Sequence, residues 1–124
     1  MIDIDNFKKI NDTFGHKEGD AVICTLANLM KERACEVSGA SVGRWGGEEF
    51  MILLPACDTR KALGIAEKIR KEFSAIAFPQ CGCRTISLGV TQRQAGESED
   101  SLVLRVHRAL YEAKNTGKNR CVCL

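Results

Sequence analysis

The chain has 124 residues, the length of one ordinary domain, and 44% of them are hydrophobic, as expected for a protein that buries a core. Its formal net charge is only +2, with no block of like charge, which argues against a surface that wraps a nucleic acid polymer. No apolar run reaches the roughly 18–20 residues that span a bilayer and no signal peptide is visible, so we expect a cytoplasmic domain without membrane contact of its own.

The spacing of apolar residues predicts nine elements in the order β-α-α-β-β-α-β-α-β. Strands with helices that return across one face are typical of an α+β sandwich with a central, mostly antiparallel sheet. The predicted elements are a strand over residues 1–4, a short helix from Phe7 to about Gly15, a helix from about Gly19, a hairpin over 40–54, a helix over 59–73 with Thr59 as its cap, a strand over 84–91, a helix over 101–115 and a strand over 120–124.

The predicted hairpin has two glycines at its turn, Gly46 and Gly47, followed at once by two acids, Glu48 and Glu49. Glycine supplies the positive φ that a tight turn needs, so Glu48 would be held at the tip of a rigid two-stranded arm. A carboxylate in that position can hold a metal ion or a proton. Taken alone, so short a motif fits a surface hairpin with solvated charges at least as well.

Two further acids, Asp3 and Asp5, lie at the end of the first predicted strand. Strands disfavour aspartate, so Asp3 has no evident structural role there, whereas Asp5 is well placed to cap the helix that follows. Mg²⁺ in proteins takes one or two carboxylates together with substrate phosphates. If Asp3 and Glu48 converge on neighbouring strands, the pair forms a metal site for phosphoryl transfer.

The segment after the first strand is rich in polar side chains, among them Lys8, Asn11 and Asp20. Asparagine and aspartate can pair with the edge of a base, and a carboxylate can accept hydrogen bonds from the NH groups of guanine. This segment therefore predicts a nucleotide-binding loop beside the acids.

Four separated motifs, which together span most of the chain, resemble those of the GGDEF-domain diguanylate cyclases. They occupy residues 3–20, 44–50 (Arg-Trp-Gly-Gly-Glu-Glu-Phe, a GGEEF variant of the signature), 86–90 and 109–119. The resemblance implies a palm-like fold related to nucleotidyl cyclases and polymerases. It also implies the condensation of two GTP into cyclic di-GMP with release of pyrophosphate.

By position, the resemblance implies that Asp3, the Ile4 carbonyl and Glu48 bind two Mg²⁺ or Mn²⁺ ions per active site. Lys8 corresponds to the residue that stabilises charge in the transition state. The base that takes the proton of the attacking 3′-hydroxyl stays open between Glu48, Glu49 and a metal-bound hydroxide. The residues that correspond to substrate-binding positions are Asn11 and Asp20 for guanine, Gly46 and Gly47 for close approach of the nucleotide, and Lys114 and Lys118 for the terminal phosphates.

The chain also departs from the family pattern. Many members carry an Arg-x-x-Asp site for inhibition by product, and the corresponding residues here are Val37 and Ala40, so that site is expected to be absent. A family aspartate is replaced by His107, and a family arginine by Lys118, which keeps the charge but loses bidentate geometry. Residues 1–124 are expected to be one catalytic domain without the family's opening helix and the start of its first strand.

The resemblance also implies partners. Each domain binds one GTP, so catalysis needs a second GGDEF domain facing the first, and a sensor or receiver domain, in some cases membrane-bound, normally precedes it. The alternative function is a non-catalytic module of the same fold that binds GTP or cyclic di-GMP. Production of cyclic di-GMP from GTP distinguishes the two.

Seven cysteines are present, with two Cys-x-Cys pairs at Cys81/Cys83 and Cys121/Cys123. Residues i and i+2 of a strand share a face, so each pair can present two thiolates to a metal. Structural zinc sites favour longer spacings, however, and we expect reduced, partly buried thiols, with zinc as the alternative.

Overall fold

The structure is a computed structural model that describes residues 1–124. Its elements are β1 (Ile2–Ile4), α1 (Phe7–Phe14), α2 (His16–Ala34), β2 (Ser41–Gly46), β3 (Glu49–Leu53), α3 (Thr59–Ser74), β4 (Ala77–Phe78), β5 (Gly82–Cys83), β6 (Ile86–Val90), α4 (Glu99–Asn115) and β7 (Cys121–Cys123). Five strands form one sheet in the order β2-β3-β1-β6-β7, and β4 and β5 form a separate small hairpin.

The central strand β1 is antiparallel to β3 on one side and to β6 on the other. The β2–β3 pair is also antiparallel, and only the β6–β7 pair is parallel. The α+β fold with a mostly antiparallel sheet is therefore confirmed. The ladder places Asp3 between Glu49 of β3 and Ser87 of β6.

The core lies between the sheet and helices α2 and α3. Among its fully buried side chains are Ile4, Leu26, Ile69 and Phe73. Strand β6 is buried at every residue because α3 contacts one of its faces and α4 the other. Since side chains alternate along a strand, Ile2 and Ile4 enter this core while Asp3 faces α4.

Two predicted helix starts, those of α2 and α4, were wrong by a few residues, and the predicted cap of α3 was wrong by one. Helix α2 begins at His16, directly after Gly15, and therefore includes the loop expected before Gly19. The cap of α3 is Asp58 rather than Thr59: an Asp58 side-chain oxygen accepts the backbone N–H of Lys61 at 2.8 Å.

Helix α4 begins two residues earlier than expected, at Glu99, because the Ser98 hydroxyl accepts the backbone N–H of Ser101. The β4–β5 hairpin was not predicted at all, since its two-residue strands are too short to show a period. The hydroxyl of Thr59 donates to the Gln92 side chain at 2.9 Å instead of capping its helix.

All seven cysteines are free thiols, and the two members of each Cys-x-Cys pair differ in exposure. Cys121 is half-buried beside Glu67, and burial together with the hydrogen bond to that acid raises its pKa to about 12. No group of three or more His, Cys, Asp or Glu side chains converges on one point, so the zinc alternative finds no support here.

An apolar groove of about 690 Å³ lies next to Met1, between the end of β3 and the end of β6, and residues of α3 line it. None of the predicted site residues lines it. No helix of the chain combines the length and the apolar character that crossing a membrane requires.

Candidate active site

Asp3 is the centre of the candidate site. It is only 6% exposed, and its Oδ2 lies 2.7 Å from the Nζ of Lys114, while its Oδ1 is buried and has no hydrogen-bond partner. Burial raises the pKa of Asp3 to about 6; Lys114 opposes the shift, and the carboxylates of Glu48 and Glu49 add to it. Three negative groups and one cation thus share the end of β1.

The hairpin tip brings its acids to this point. Gly46 ends β2 and Glu49 begins β3, so the turn residues are Gly47 and Glu48, one position later than the sequence predicts. Gly47 has a φ of 39°, and its carbonyl accepts a hydrogen bond from Arg44 Nε at 2.7 Å. The carbonyl of Glu48 in turn accepts the Ile4 N–H at 3.3 Å, which ties the tip to β1.

The residues at the end of β1 fit a hard divalent cation. Asp3 presents a buried carboxylate oxygen without a partner, and the charges of Glu48 and Glu49 act on it. Because no three metal-binding side chains converge on one point, the protein supplies only part of a coordination shell. That composition matches Mg²⁺, which binds one or two carboxylates and takes its other ligands from phosphates and water.

Asp5 does not cap α1, contrary to the sequence prediction. The residue at the N-cap is Asn6, in a left-handed conformation and without a side-chain cap. The Asp5 carboxylate is 2% exposed and accepts hydrogen bonds from Ser87 Oγ at 2.7 Å, Thr85 Oγ1 at 2.8 Å and the backbone N–H of Asn119 at 3.1 Å. These partners are distant in sequence, which is why the local pattern misidentified its role.

The two predicted phosphate-binding lysines lie beside the end of β1. Lys114, on the last turn of α4, pairs with Asp3. Lys118, in the loop after α4, donates to Asn6 Oδ1 at 2.7 Å. The structure therefore brings both lysines to the same edge of the sheet as the acids.

The predicted guanine-binding residues lie on α1 and α2. A Cβ on Gly19 would stand 1.9 Å from Asn11 Oδ1, so the Asn11 side chain rests directly on the α2 backbone, one residue before Asp20. Asp20 and Lys8 are exposed and open to solvent. Only a glycine at position 19 allows this approach of the two helices.

The contact between Trp45 and His107 was not anticipated. A β-bulge between Arg44 and Gly46 interrupts the β2–β3 register, and the Trp45 ring meets His107 of α4 edge-on, with centroids 6.0 Å apart. Trp45, which lies at the β-bulge of the hairpin, therefore contacts His107, the residue that replaces a family aspartate.

An open groove of about 730 Å³ extends from Asp3 and Glu49 along α4 to Tyr111. Its volume lies within the range of small-molecule sites, roughly 300–1,000 Å³. At the positions of the family's product-inhibition site, Val37 is buried in the core and Ala40 is half-buried, so neither supplies a charge.

A model of the family "Diguanylate cyclase, GGDEF domain" matches residues 1–120. Diguanylate cyclase DgcM of Escherichia coli strain K12 is 45% identical over 120 residues; the match covers 97% of this chain but only 29% of DgcM. The active GGEEF domain of a diguanylate cyclase from Vibrio cholerae superposes with a TM-score of 0.91 at 40% identity, covering 98% of this chain and 78% of that one. The GGDEF domain of DgcB from Caulobacter crescentus, in complex with c-di-GMP, superposes with a TM-score of 0.93 at 35% identity. That match covers 98% of this chain and 74% of the DgcB chain.

Proposed function

The chain belongs to the GGDEF-domain family of diguanylate cyclases, and on that premise we propose that it joins two molecules of GTP into cyclic di-GMP, releasing pyrophosphate at each of two condensations. The observation that carries the proposal is the end of β1. There an unpaired, buried Asp3 oxygen, the acids of the hairpin tip and Lys114 lie together. Acids for a cation and lysines for phosphates are the groups that such a reaction needs.

Asp3, Glu48 and the Ile4 carbonyl are the residues that would hold divalent cations, Mg²⁺ or Mn²⁺ with two per site. Such cations supply charge neutralisation at the phosphates during attack by a 3′-hydroxyl. Lys114 is half-buried and now neutralises Asp3. When substrate and cation bind, Lys114 exchanges this carboxylate for a terminal phosphate oxygen.

Lys118 holds the terminal phosphates from the other side, and Lys8 stabilises negative charge as it develops on the reacting phosphate. Both amines are within reach of solvent, which leaves them free to meet a triphosphate. Glu48 and Glu49 are the carboxylates available to take the proton of the attacking hydroxyl, and Glu49 lies directly opposite Asp3 in the sheet.

Guanine is recognised by Asn11 and Asp20. The amide of Asn11 lies against the α2 backbone at Gly19, which places it one residue from Asp20 on the neighbouring helix. A Cβ on Gly46 or Gly47 would meet no atom within 4 Å, so the space above the hairpin tip is open to the nucleotide. Asp20 adds an acceptor for the NH groups that distinguish guanine.

Because each domain holds one GTP, a second copy of the domain must supply the other. The chain spans 29% of DgcM, so regulation by a further domain, such as an upstream sensor or receiver, is part of the proposal. The cytoplasm, where GTP is abundant, is the compartment that this activity requires.

The test is the activity of Glu48→Gln in a protein fused to a dimeric coiled coil, which keeps two domains together. With GTP and Mg²⁺ we expect the parent to form cyclic di-GMP. The variant should be slower by a factor of at least about 100, the usual effect of removing a group that stabilises charge in the transition state. Glu32→Gln, an exposed acid on α2, is the matched control and should keep full activity.

Circular dichroism and the emission of Trp45, the only tryptophan, verify that the variant is folded. Full activity of a folded Glu48→Gln variant would overturn the assignment of Glu48. If the parent binds GTP but forms no product, the domain is instead a non-catalytic nucleotide-binding module.

A further inference from the structure

The loop after α4 has an unusual backbone. Three consecutive residues have positive φ angles: Gly117 at 128°, Lys118 at 60° and Asn119 at 46°. Glycine tolerates such angles and asparagine adopts them more readily than most residues, but lysine adopts them only where the surroundings hold it there. This loop carries Lys118, so whatever holds the backbone also determines where the amine points.

The first anchor of the loop is Asp5. Its Oδ2 accepts the backbone N–H of Asn119 at 3.1 Å and the hydroxyl of Thr85 at 2.8 Å, while its Oδ1 accepts the hydroxyl of Ser87 at 2.7 Å. At 2% exposure the carboxylate is shielded from water. Both oxygens are occupied by fixed donors, so the carboxylate cannot rotate away from Asn119 without breaking other bonds.

The second anchor is on α3. Arg70 donates from Nη1 to the side-chain oxygen of Asn119 at 3.1 Å, and its own position is fixed by a 2.8 Å ion pair with Glu67. Asn119 is therefore held from two sides, by its backbone and by its side chain. The residue before it, Lys118, donates its backbone N–H to the Ala113 carbonyl at 3.0 Å, which joins the loop to α4.

These anchors place the Lys118 amine. With the loop held, Nζ lies 2.7 Å from Asn6 Oδ1, at the point where β1 passes into α1. Asn6 follows Asp5 directly in the chain, so one short segment both holds the loop and receives the lysine. Without the Asn119 anchor, the left-handed geometry of Lys118 would be held only by its N–H bond to Ala113 and by the bond that Arg120 Nε donates to its carbonyl at 3.1 Å.

We propose that Asp5 is a positioning residue for phosphate recognition, acting through the Asn119 N–H to hold Lys118 where the terminal phosphates bind. The proposal rests on the proposed role of Lys118 in binding GTP. Asp5 touches neither the nucleotide nor a cation in this role; its effect is transmitted by the loop. Loss of Asp5 should therefore weaken binding only of nucleotides that have β- and γ-phosphates.

The test compares the affinity of the chain for a non-hydrolysable GTP analogue and for GMP, each with Mg²⁺. We expect Asp5→Asn to lower the affinity for the GTP analogue about tenfold and to leave the affinity for GMP unchanged. Lys118→Met should have a similar effect, and in the double variant the Asp5 substitution should add nothing, because residues that act through one another are not additive.

A second variant serves in case Asp5→Asn does not fold. Arg70 is partly exposed, and Arg70→Met removes the second anchor of Asn119. It should lower the affinity for the GTP analogue about threefold, again without effect on the affinity for GMP. Lys68→Met, on the same helix, removes an ion pair with Glu36 that does not touch the loop, and should change neither affinity.

The outcomes separate the two proposals. If Lys118→Met leaves the affinity for the analogue unchanged, the role of Lys118 in the proposed function is overturned. If Lys118→Met weakens the analogue but neither Arg70→Met nor a folded Asp5→Asn does, only the positioning role is overturned. Equal weakening of GMP by Asp5→Asn would overturn it too, because that would mark a general structural role.

Discussion

Single residues in this protein are defined by the partners that the fold gives them. Asp3 is an example. Burial raises its pKa, the neighbouring Lys114 lowers it again in part, and the negative charges of Glu48 and Glu49 raise it further. The result is a carboxylate whose pKa lies near 6 rather than at its ordinary value of 3.8. A site with this balance gains from a cation, which removes the repulsion among the acids.

The raised pKa of Asp3 makes the metal-free protein less stable as the pH rises. Between about pH 4 and about pH 6 the folded state binds more protons than the unfolded state, so the free energy of unfolding falls over this window and then levels off. Asp3→Asn removes that loss, which already includes the opposing effect of Lys114, and after a discount for solvent screening it should be more stable than the parent at neutral pH by on the order of 1 kcal/mol.

Urea denaturation in EDTA, at about pH 4 and about pH 8, measures this difference for both proteins. Other acids also contribute to the pH dependence; Glu97, for example, has its pKa lowered in the folded state from 4.5 to about 2, mainly by Arg105, so it binds protons near pH 4 only in the unfolded chain. The comparison is therefore between the pH dependences of the two proteins. Identical dependences would mean that Asp3 is not buried as described.

At the scale of elements, the contact of β6 with α4 sets the position of the lysines. Gly89 allows this contact: a Cβ there would stand 2.5 Å from the Leu110 backbone nitrogen and 2.6 Å from the Val106 carbonyl oxygen. Backbone atoms of a helix cannot move aside singly, so any larger residue must push α4 away from the sheet. Lys114, which α4 carries, would move with it.

Gly89→Ala should therefore reduce the free energy of unfolding by about 3 kcal/mol, the upper end of overpacking effects. Gly64→Ala is the control: Gly64 is exposed inside α3 with no atom near its missing Cβ, and alanine there should stabilise the helix by up to about 1 kcal/mol. Chemical denaturation of the two variants measures both effects. Equal stabilities would show that α4 does not pack on β6 this closely.

At the scale of the whole molecule, the candidate site is open along α4. The groove that begins at Asp3 and Glu49 is bordered by exposed side chains such as Tyr111, which is 72% exposed. A reaction that joins two nucleotides, each held by its own domain, needs a site that a second domain can approach. An open groove meets that condition, and an enclosed one would not.

The rate of cyclic di-GMP formation per domain should therefore rise with the concentration of the isolated domain. In the proposed mechanism two domains must first meet, and a dimeric coiled coil should remove this dependence by raising the effective concentration to the millimolar range. Product formation across a dilution series, with and without the coiled coil, makes the measurement. A rate per domain that stays constant while light scattering shows monomers would contradict the two-domain mechanism.

Much of the fold could be predicted because its signals are local. The periodicity of apolar residues indicates helices and strands within a dozen residues, and the glycines of the hairpin lie next to the acids that they display. Helix caps were less predictable, because Asp58 and Ser98 compete with their neighbours as caps and only the folded helix shows which hydrogen bond forms. The β4–β5 hairpin gave no signal of its own.

Apart from the β4–β5 hairpin, the sequence by itself determined the kinds of element and their order, together with the glycines and acids of the hairpin tip and the motifs that mark the family, since each depends on residues close together along the chain. Only the tertiary structure decided what Asp3 and Asp5 do. The partners of Asp5 lie 80 to 114 positions away, and Asp3 meets Lys114 of α4, the helix that packs on its face of the sheet. A carboxylate's charge and role depend on burial and on the donors around it, and these exist only once β1, β6 and α4 have come together.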